Sequence, residues 1–271
     1  MRILRLAAFA GLATTFAARV ALASWRAANE DVARAEQARL FHRFSGLGLR
    51  VFGVKLTVEG TRSTEATLLV ANHLSYVDVF VIASVQPTVF VTSVEVRDSF
   101  LLGTLCKLGG CLFVERRSRA GLPREIASLS RVLRQGLSLT LFPEGTTSNG
   151  ERLRPFKSSL LECARVPGVW VSPVCIVYER IDGVAFGPAN RDQVAYHGDM
   201  TFFPHLWGLL SAREITARLI FLDPLTPSPI LSRHELALEL HGKIEARYRG
   251  GDVPVRRGSS PAGPASREPL S

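Results

Sequence analysis

The segment Asn72-His73-Leu74-Ser75-Tyr76-Val77-Asp78 follows directly on the apolar run Leu68–Ala71. A strand end that leads into a loop and a helix is where α/β sheets place ligands. His73 and Asp78 are five residues apart, too far round to share one face of a continuous helix. With His73 in the loop and Asp78 in the first helical turn, the carboxylate can fold back onto the imidazole. It would then fix the tautomer at one ring nitrogen and leave the other as a base toward a substrate hydroxyl. The same residues admit a plainer reading, because Ser75 and Asp78 also form S-x-x-D, a capping box that needs no catalysis.

Three further segments bear on the choice. Gly110-Cys111-Leu112-Phe113-Val114-Glu115-Arg116 reads as a strand ending in a charged pair, with Arg117 beside it. Phe142-Pro143-Glu144-Gly145-Thr146-Thr147-Ser148 sits at another strand end and continues to Pro155-Phe156-Lys157. Val171-Ser172-Pro173-Val174 is a later apolar strand carrying a proline. A guanidinium suits phosphate oxygens, and a Gly-containing turn lets backbone N–H groups approach an anion or oxyanion. Taken singly, Arg116 could pair with a neighbouring acid and Glu144 could cap the loop that follows it.

In this order and at these separations, the four blocks resemble the glycerophospholipid acyltransferase family. Its motifs are NHxxxxD, a strand-borne Arg, FPEGT and an apolar strand with a Pro, and the likeness spans about residues 68 to 178. The resemblance implies an α/β fold and an O-acyltransferase, with His73 as general base and Asp78 as its orienting partner. It makes Asn72, Ser75, Arg116, Arg117, Glu144, Gly145, Thr146 and Lys157 the expected substrate contacts. The co-substrate would be an acyl thioester of acyl carrier protein or coenzyme A, with no cofactor and no metal. The acceptor would be a lysolipid, 1-acylglycerol-3-phosphate first of all.

One position departs from that pattern. Many lysophosphatidate acyltransferases carry Arg after FPEGT, where this chain has Thr147. FPEGTTSNG followed by PFK resembles the subgroup that acylates lyso-ornithine lipids. So does Gly198-Asp199-Met200-Thr201 leading into Pro204-His205-Leu206-Trp207. A thioester or phosphoester hydrolase is the competing class, since the same pair could activate water. The chain has no G-x-S-x-G elbow, no metal-ligand spacing, and no P-loop or dinucleotide fingerprint.

The elements that must hold these residues follow from periodicity. Short apolar runs at Leu68–Ala71, Val89–Thr92, Cys111–Val114, Ser138–Phe142 and Val169–Val177 are mostly separated by helix-length stretches. That predicts a mostly parallel sheet flanked by helices. Val54, Leu56 and Val58 alternate with polar residues as an earlier strand, and Ile215 to Phe221 as a late one. Asn29–Arg50 reads as a helix. Ser232 and Glu235 make a capping box before a last helix.

The expected organisation is an N-terminal membrane-anchoring or interfacial helical segment over 1–50, an acyltransferase domain over 51–249 and a disordered tail over 250–271. The uncharged stretch Leu6 to Ala18 is thirteen residues long, whereas a spanning helix needs about 20. On the residues alone a signal peptide with Ala21-Leu22-Ala23, an anchor or interfacial helix, and a buried helix all fit. The resemblance favours an uncleaved anchor or interfacial helix over secretion, with the active site at the membrane and facing the cytoplasm.

Composition is ordinary for a globular protein: 46% apolar and 21% charged residues in 271. This excludes disordered, collagen-like and disulfide-scaffold classes. With 33 Lys+Arg against 24 Asp+Glu the net charge is +9, which favours an anionic partner. Given the resemblance, that partner is a phospholipid surface and an acidic carrier rather than nucleic acid. Four Cys without a C-x-x-C pair read as free thiols.

Overall fold

The computed structural model describes residues 1–63, 65–115, 120–226 and 231–249, apart from the side chains of Phe100 and Leu101. Arg116, Arg117 and the tail expected from residue 250 lie outside the described residues.

Two long helices come first, α1 (Arg2–Arg26) and α2 (Glu30–Phe52). Asn29 starts α2 because its side-chain oxygen accepts the N–H groups of Asp31 and Val32, at 3.1 and 3.0 Å. Gly53 ends it in the left-handed region at φ 77°, where its N–H returns to the Arg50 and Leu49 carbonyls. A Cβ at Gly53 would come within 2.9 Å of the Arg213 carbonyl oxygen and 3.0 Å of the Arg5 guanidinium. The turn therefore has room for glycine and for no side chain.

The rest of the chain alternates strands and helices. In order come β1 (Val54–Glu59), β2 (Thr67–Ala71), α3 (Val77–Val85), β3 (Val89–Ser93), α4 (Val94–Arg97) and α5 (Phe100–Leu108). They are followed by β4 (Leu112–Val114), α6 (Leu122–Arg134), β5 (Leu139–Leu141) and β6 (Trp170–Ile181). The chain then runs through β7 (Val184–Ala185), α7 (Phe202–Leu209), β8 (Ile215–Phe221) and α8 (Arg233–Arg249). The strands form one sheet in the order β1-β8-β6-β2-β5-β3-β4, with β7 paired to β6. All neighbours are parallel except β6 with β8 and β6 with β7. The mostly parallel α/β architecture is the one the apolar runs predict. β6 extends four residues past the predicted Val177, into a hairpin with β7 that the sequence signals only weakly.

β2 is buried at all five positions and lies between β6 and β5. Apolar clusters cover both faces of the sheet. Ser232 and Glu235 form the reciprocal cap expected for α8, with N–H donors 2.8 and 3.2 Å from their acceptors.

α1 packs against α2 through Phe16 and Val20, at 5% and 3% exposure, and Phe9 contacts Phe52 with ring centroids 5.5 Å apart. Arg5 donates to the carbonyls of Ala212 and Arg213. Most of the other large side chains of α1 point outward, among them Ile3, Leu4, Leu22 and Trp25. α1 is also the one helix among the described residues long and apolar enough to cross a membrane.

Phe52 joins three elements: it is fully buried and also meets Phe80 of α3 edge-on at 5.2 Å. Phe52→Ala should therefore cost about 3–5 kcal/mol of stability, read as a shifted denaturant midpoint. A loss below about 1 kcal/mol would show that α2 does not hold α3 in place.

Candidate active site

The site forms where β2 ends. Asn72 is 1% exposed, and its amide bonds the backbone of β6 twice: Nδ2 donates to the Ile176 carbonyl at 2.9 Å, and Oδ1 accepts the Ile176 N–H at 2.8 Å. The next residue, His73, leaves the sheet. Its backbone N–H donates to Oε1 of Glu144 at 2.8 Å, and its carbonyl accepts the Ser148 N–H at 3.0 Å. The imidazole stacks on Phe142 with centroids 3.9 Å apart and planes 12° from parallel.

Asp78 lies in the first turn of α3 and is completely buried. Its Oδ2 is 2.9 Å from His73 Nδ1 and also accepts the N–H groups of Leu74 and Ser75, at 2.6 and 2.9 Å. Its Oδ1 accepts the Tyr178 hydroxyl at 2.7 Å. The two readings of this segment are thus one arrangement. The carboxylate closes half of a capping box, accepting from Ser75 N–H, while it holds the imidazole. The other half is missing, because Ser75 Oγ accepts from Val77 at 3.3 Å rather than from Asp78.

A carboxylate at Nδ1 places the ring proton there and leaves the Nε2 lone pair free. With the His73 side chain 18% exposed, that nitrogen can take a proton from a hydroxyl. Among the described residues no group of three or more His, Cys, Asp and Glu is placed to hold a metal ion.

Glu144 is 3% exposed and holds two backbone groups, since its Oε2 accepts the Arg154 N–H at 3.0 Å. Burial raises its carboxyl above the usual range, against the opposing pull of the two N–H donors. Asn72, Ser75 and Glu144 therefore turn inward and shape the loop around His73. Gly145, Thr146 and Lys157 are on the accessible side. Gly145 has φ 78°, and a Cβ there would lie 2.9 Å from the Lys157 ammonium nitrogen. The Lys157 N–H returns to Pro143 at 2.9 Å. A pocket beside Phe142 is lined by Glu115, Leu122, Pro143, Gly145 and Lys157.

Two side chains at the site have no precedent in the motif blocks. Tyr178 could have been found by parity, since Val174, Ile176 and Tyr178 share the inward face of one strand. His205 belongs to the Pro204–Trp207 segment. Its Nδ1 is 3.0 Å from the Tyr76 hydroxyl and its Nε2 3.2 Å from the Ala195 carbonyl. A carbonyl only accepts, so Nε2 donates and Nδ1 receives the Tyr76 proton. Burial pushes His205 down and keeps it neutral. Tyr196 N–H completes the tie by donating to the Leu74 carbonyl at 2.9 Å. On this flank an apolar pocket opens between α1, α2, α3 and α5, with Phe16, Phe44, Val79, Leu105 and Phe202 in its wall.

Residues 55–177, which hold all of these groups up to Ile176, match the family described as Acyltransferase. A lyso-ornithine lipid O-acyltransferase of Brucella abortus is 33% identical over 216 residues, covering 77% of this chain and 81% of that relative. The chain belongs to the acyltransferase family. A second lyso-ornithine lipid O-acyltransferase, of Pseudomonas aeruginosa, is 33% identical over 87% of this acyltransferase and 90% of its own length. A 1-acyl-sn-glycerol-3-phosphate acyltransferase of Neisseria meningitidis is 27% identical, covering 66% of this chain and 68% of its own. The crystal structure of the 1-acyl-sn-glycerophosphate acyltransferase PlsC of Thermotoga maritima has the same fold. It superimposes with a TM-score of 0.64 at 20% identity and covers 92% of this chain and 97% of its own. The enzyme is accordingly a lysolipid acyltransferase, and its apolar first helix suits work at a membrane.

Glu144→Gln replaces one acceptor oxygen by an NH2 group that cannot receive an N–H. The variant should lose about 1–3 kcal/mol of stability, measured by chemical denaturation. Unchanged stability would mean that the carboxylate does not pin the His73 loop.

Proposed function

We propose that the enzyme moves a fatty acyl group from an acyl thioester, on acyl carrier protein or coenzyme A, to the free hydroxyl of a lyso-ornithine lipid. His73 Nε2 takes the hydroxyl proton as the oxygen attacks the thioester carbonyl. The C–S bond then breaks, and the same proton passes to the departing thiolate, giving an ester and a free thiol. Asp78 holds the tautomer and balances the imidazolium charge. No cofactor beyond the donor enters the step. The site works at the bilayer on its cytoplasmic side, where soluble thioesters meet a membrane-bound acceptor.

The observation that carries the acceptor is the identity of 33% to two lyso-ornithine lipid O-acyltransferases over most of their length. Two features of the site support it. Thr147 stands where many lysophosphatidate acyltransferases carry an Arg, and it offers no charge to a phosphate. The pocket beside Phe142 has Lys157 in its lining, and an ornithine head group carries a carboxylate that an ammonium can meet. Arg116 and Arg117 remain expected head-group contacts. A second reading, 1-acylglycerol-3-phosphate as acceptor, is favoured by the Neisseria relative.

The two readings separate in one assay. Purified full-length enzyme and labelled acyl donor are given lyso-ornithine lipid or lysophosphatidate, and the products are weighed by mass spectrometry. Ornithine lipid should form faster; phosphatidate as the sole product would overturn the acceptor. His73→Ala should lower transfer by about 10²–10⁴ with the fold retained, and wild-type transfer in a folded variant would remove the base from its role.

Lys157→Ala should raise the acceptor KM about three- to tenfold and leave the donor KM in place. An unmoved acceptor KM would show that the head group is bound elsewhere.

A further inference from the structure

We infer that Tyr178 is a positioning residue of the acyl transfer: its hydroxyl holds the outer oxygen of Asp78, and so sets how strongly Asp78 grips the imidazole of His73. The inference rests on the reading of His73 as the base and adds a residue outside the NHxxxxD and FPEGT blocks.

The geometry is specific. Asp78 Oδ2 is saturated by His73, Leu74 and Ser75, so Oδ1 depends on Tyr178, the hydroxyl donor at 2.7 Å. Tyr178 is 3% exposed and sits far along β6, 100 residues from its partner in sequence. Two features fix its aim. Two residues earlier, the Asn72 amide clamps Ile176 by both backbone groups. Immediately after Tyr178 the register with β8 shifts, so that Tyr178 pairs with Ala217 and Arg180 with Thr216, and Glu179 is the extra residue. Bulges recur beside active sites because they direct a side chain. Burial and the adjacent Asp78 charge push the Tyr178 hydroxyl well above its usual range, so it stays a donor.

The consequence for catalysis has a definite sign. The Tyr178 hydrogen bond draws part of the negative charge of Asp78 onto Oδ1, away from the imidazole. Without it, the carboxylate attracts the imidazole proton more strongly, and the neutral base appears only at higher pH. Among the described residues, the other titratable groups around the pair are Glu144 after β5, Tyr76 ahead of α3 and Tyr248 of α8. None of them changes in a Tyr178→Phe protein.

The test is Tyr178→Phe in the full-length enzyme, with labelled acyl thioester and lysolipid. We expect kcat to fall about ten- to a hundredfold with both KM values within about twofold. The acid limb of the pH–rate profile should move to higher pH. Unchanged kcat, or a loss that only follows the folded fraction with the acid limb unmoved, would overturn the inference. If the single variant fails to fold, Asp78→Asn is compared with Asp78→Asn/Tyr178→Phe, which leaves no buried carboxylate without its donor. Equal residual activity supports action through Asp78, and a further loss beyond about threefold refutes it. His73→Ala in the same assay separates the failures. An active His73→Ala sinks both readings, whereas an inactive His73→Ala beside a fully active Tyr178→Phe sinks this one alone.

Discussion

A fully buried carboxylate is the constraint around which the site is built. Removing Asp78 from water is costly, and the cost is met only because four donors converge on its two oxygens. They come from the loop after β2, the His73 ring and the middle of β6, so the carboxylate keeps its place only while β2 and β6 keep theirs. The Asn72 clamp on Ile176 fixes that spacing, and Glu144 fixes the loop from the β5 side. What is called a motif is, physically, the set of residues that makes one buried charge tolerable.

The imidazole so held has two unlike flanks. Phe142 covers one ring face, and beyond it lies the pocket with Lys157 and Glu115, suited to a charged head. The other flank is aromatic and apolar: Tyr76 meets Tyr196, Phe202 and His205, and Tyr196 meets His205, at 5.1–5.5 Å. It continues into the pocket beneath α1. A lysolipid has the same polarity, a charged end and a hydrocarbon end with a hydroxyl between. α7 carries Phe203 and Trp207 exposed on this flank, and the Arg2 guanidinium lies 5.8 Å from the Trp207 ring centre.

Much of this is legible in the sequence. The alternation of apolar runs with helix-length stretches fixes the sheet type, and Ser232 with Glu235 marks a helix start to the residue. His73 and Asp78 stand out because the strand-borne Arg and FPEGT blocks follow them in order; alone, the segment reads equally well as a capping box. Sequence could not say which polar residues turn inward: the side chains of Asn72, Ser75 and Glu144 are buried and bond backbone groups. Strand parity gives the inward face of Tyr178 but not its partner, which lies 100 positions away. His205 sat in a recognisable segment, but its bond to Tyr76 depends on how α7 packs. Local pattern reports periodicity and caps; long-range hydrogen bonds are decided by tertiary packing.

The docking of α1 carries a consequence for biosynthesis. Arg5 is held by carbonyls of Ala212 and Arg213, and the contact with Ala212 bridges 207 positions. A ribosome adding about 5–20 residues per second would leave this greasy helix without its seat for about ten to forty seconds. At the start of that interval Phe9 and Phe16 have only α2 beside them, and Ile3, Leu4 and Trp25 stay exposed throughout. A nascent chain in that state is an aggregation hazard in water and a comfortable guest in lipid. The order of synthesis thus leaves an apolar helix uncovered until the last third of the chain is made, a stage at which any apolar surface nearby would shield it.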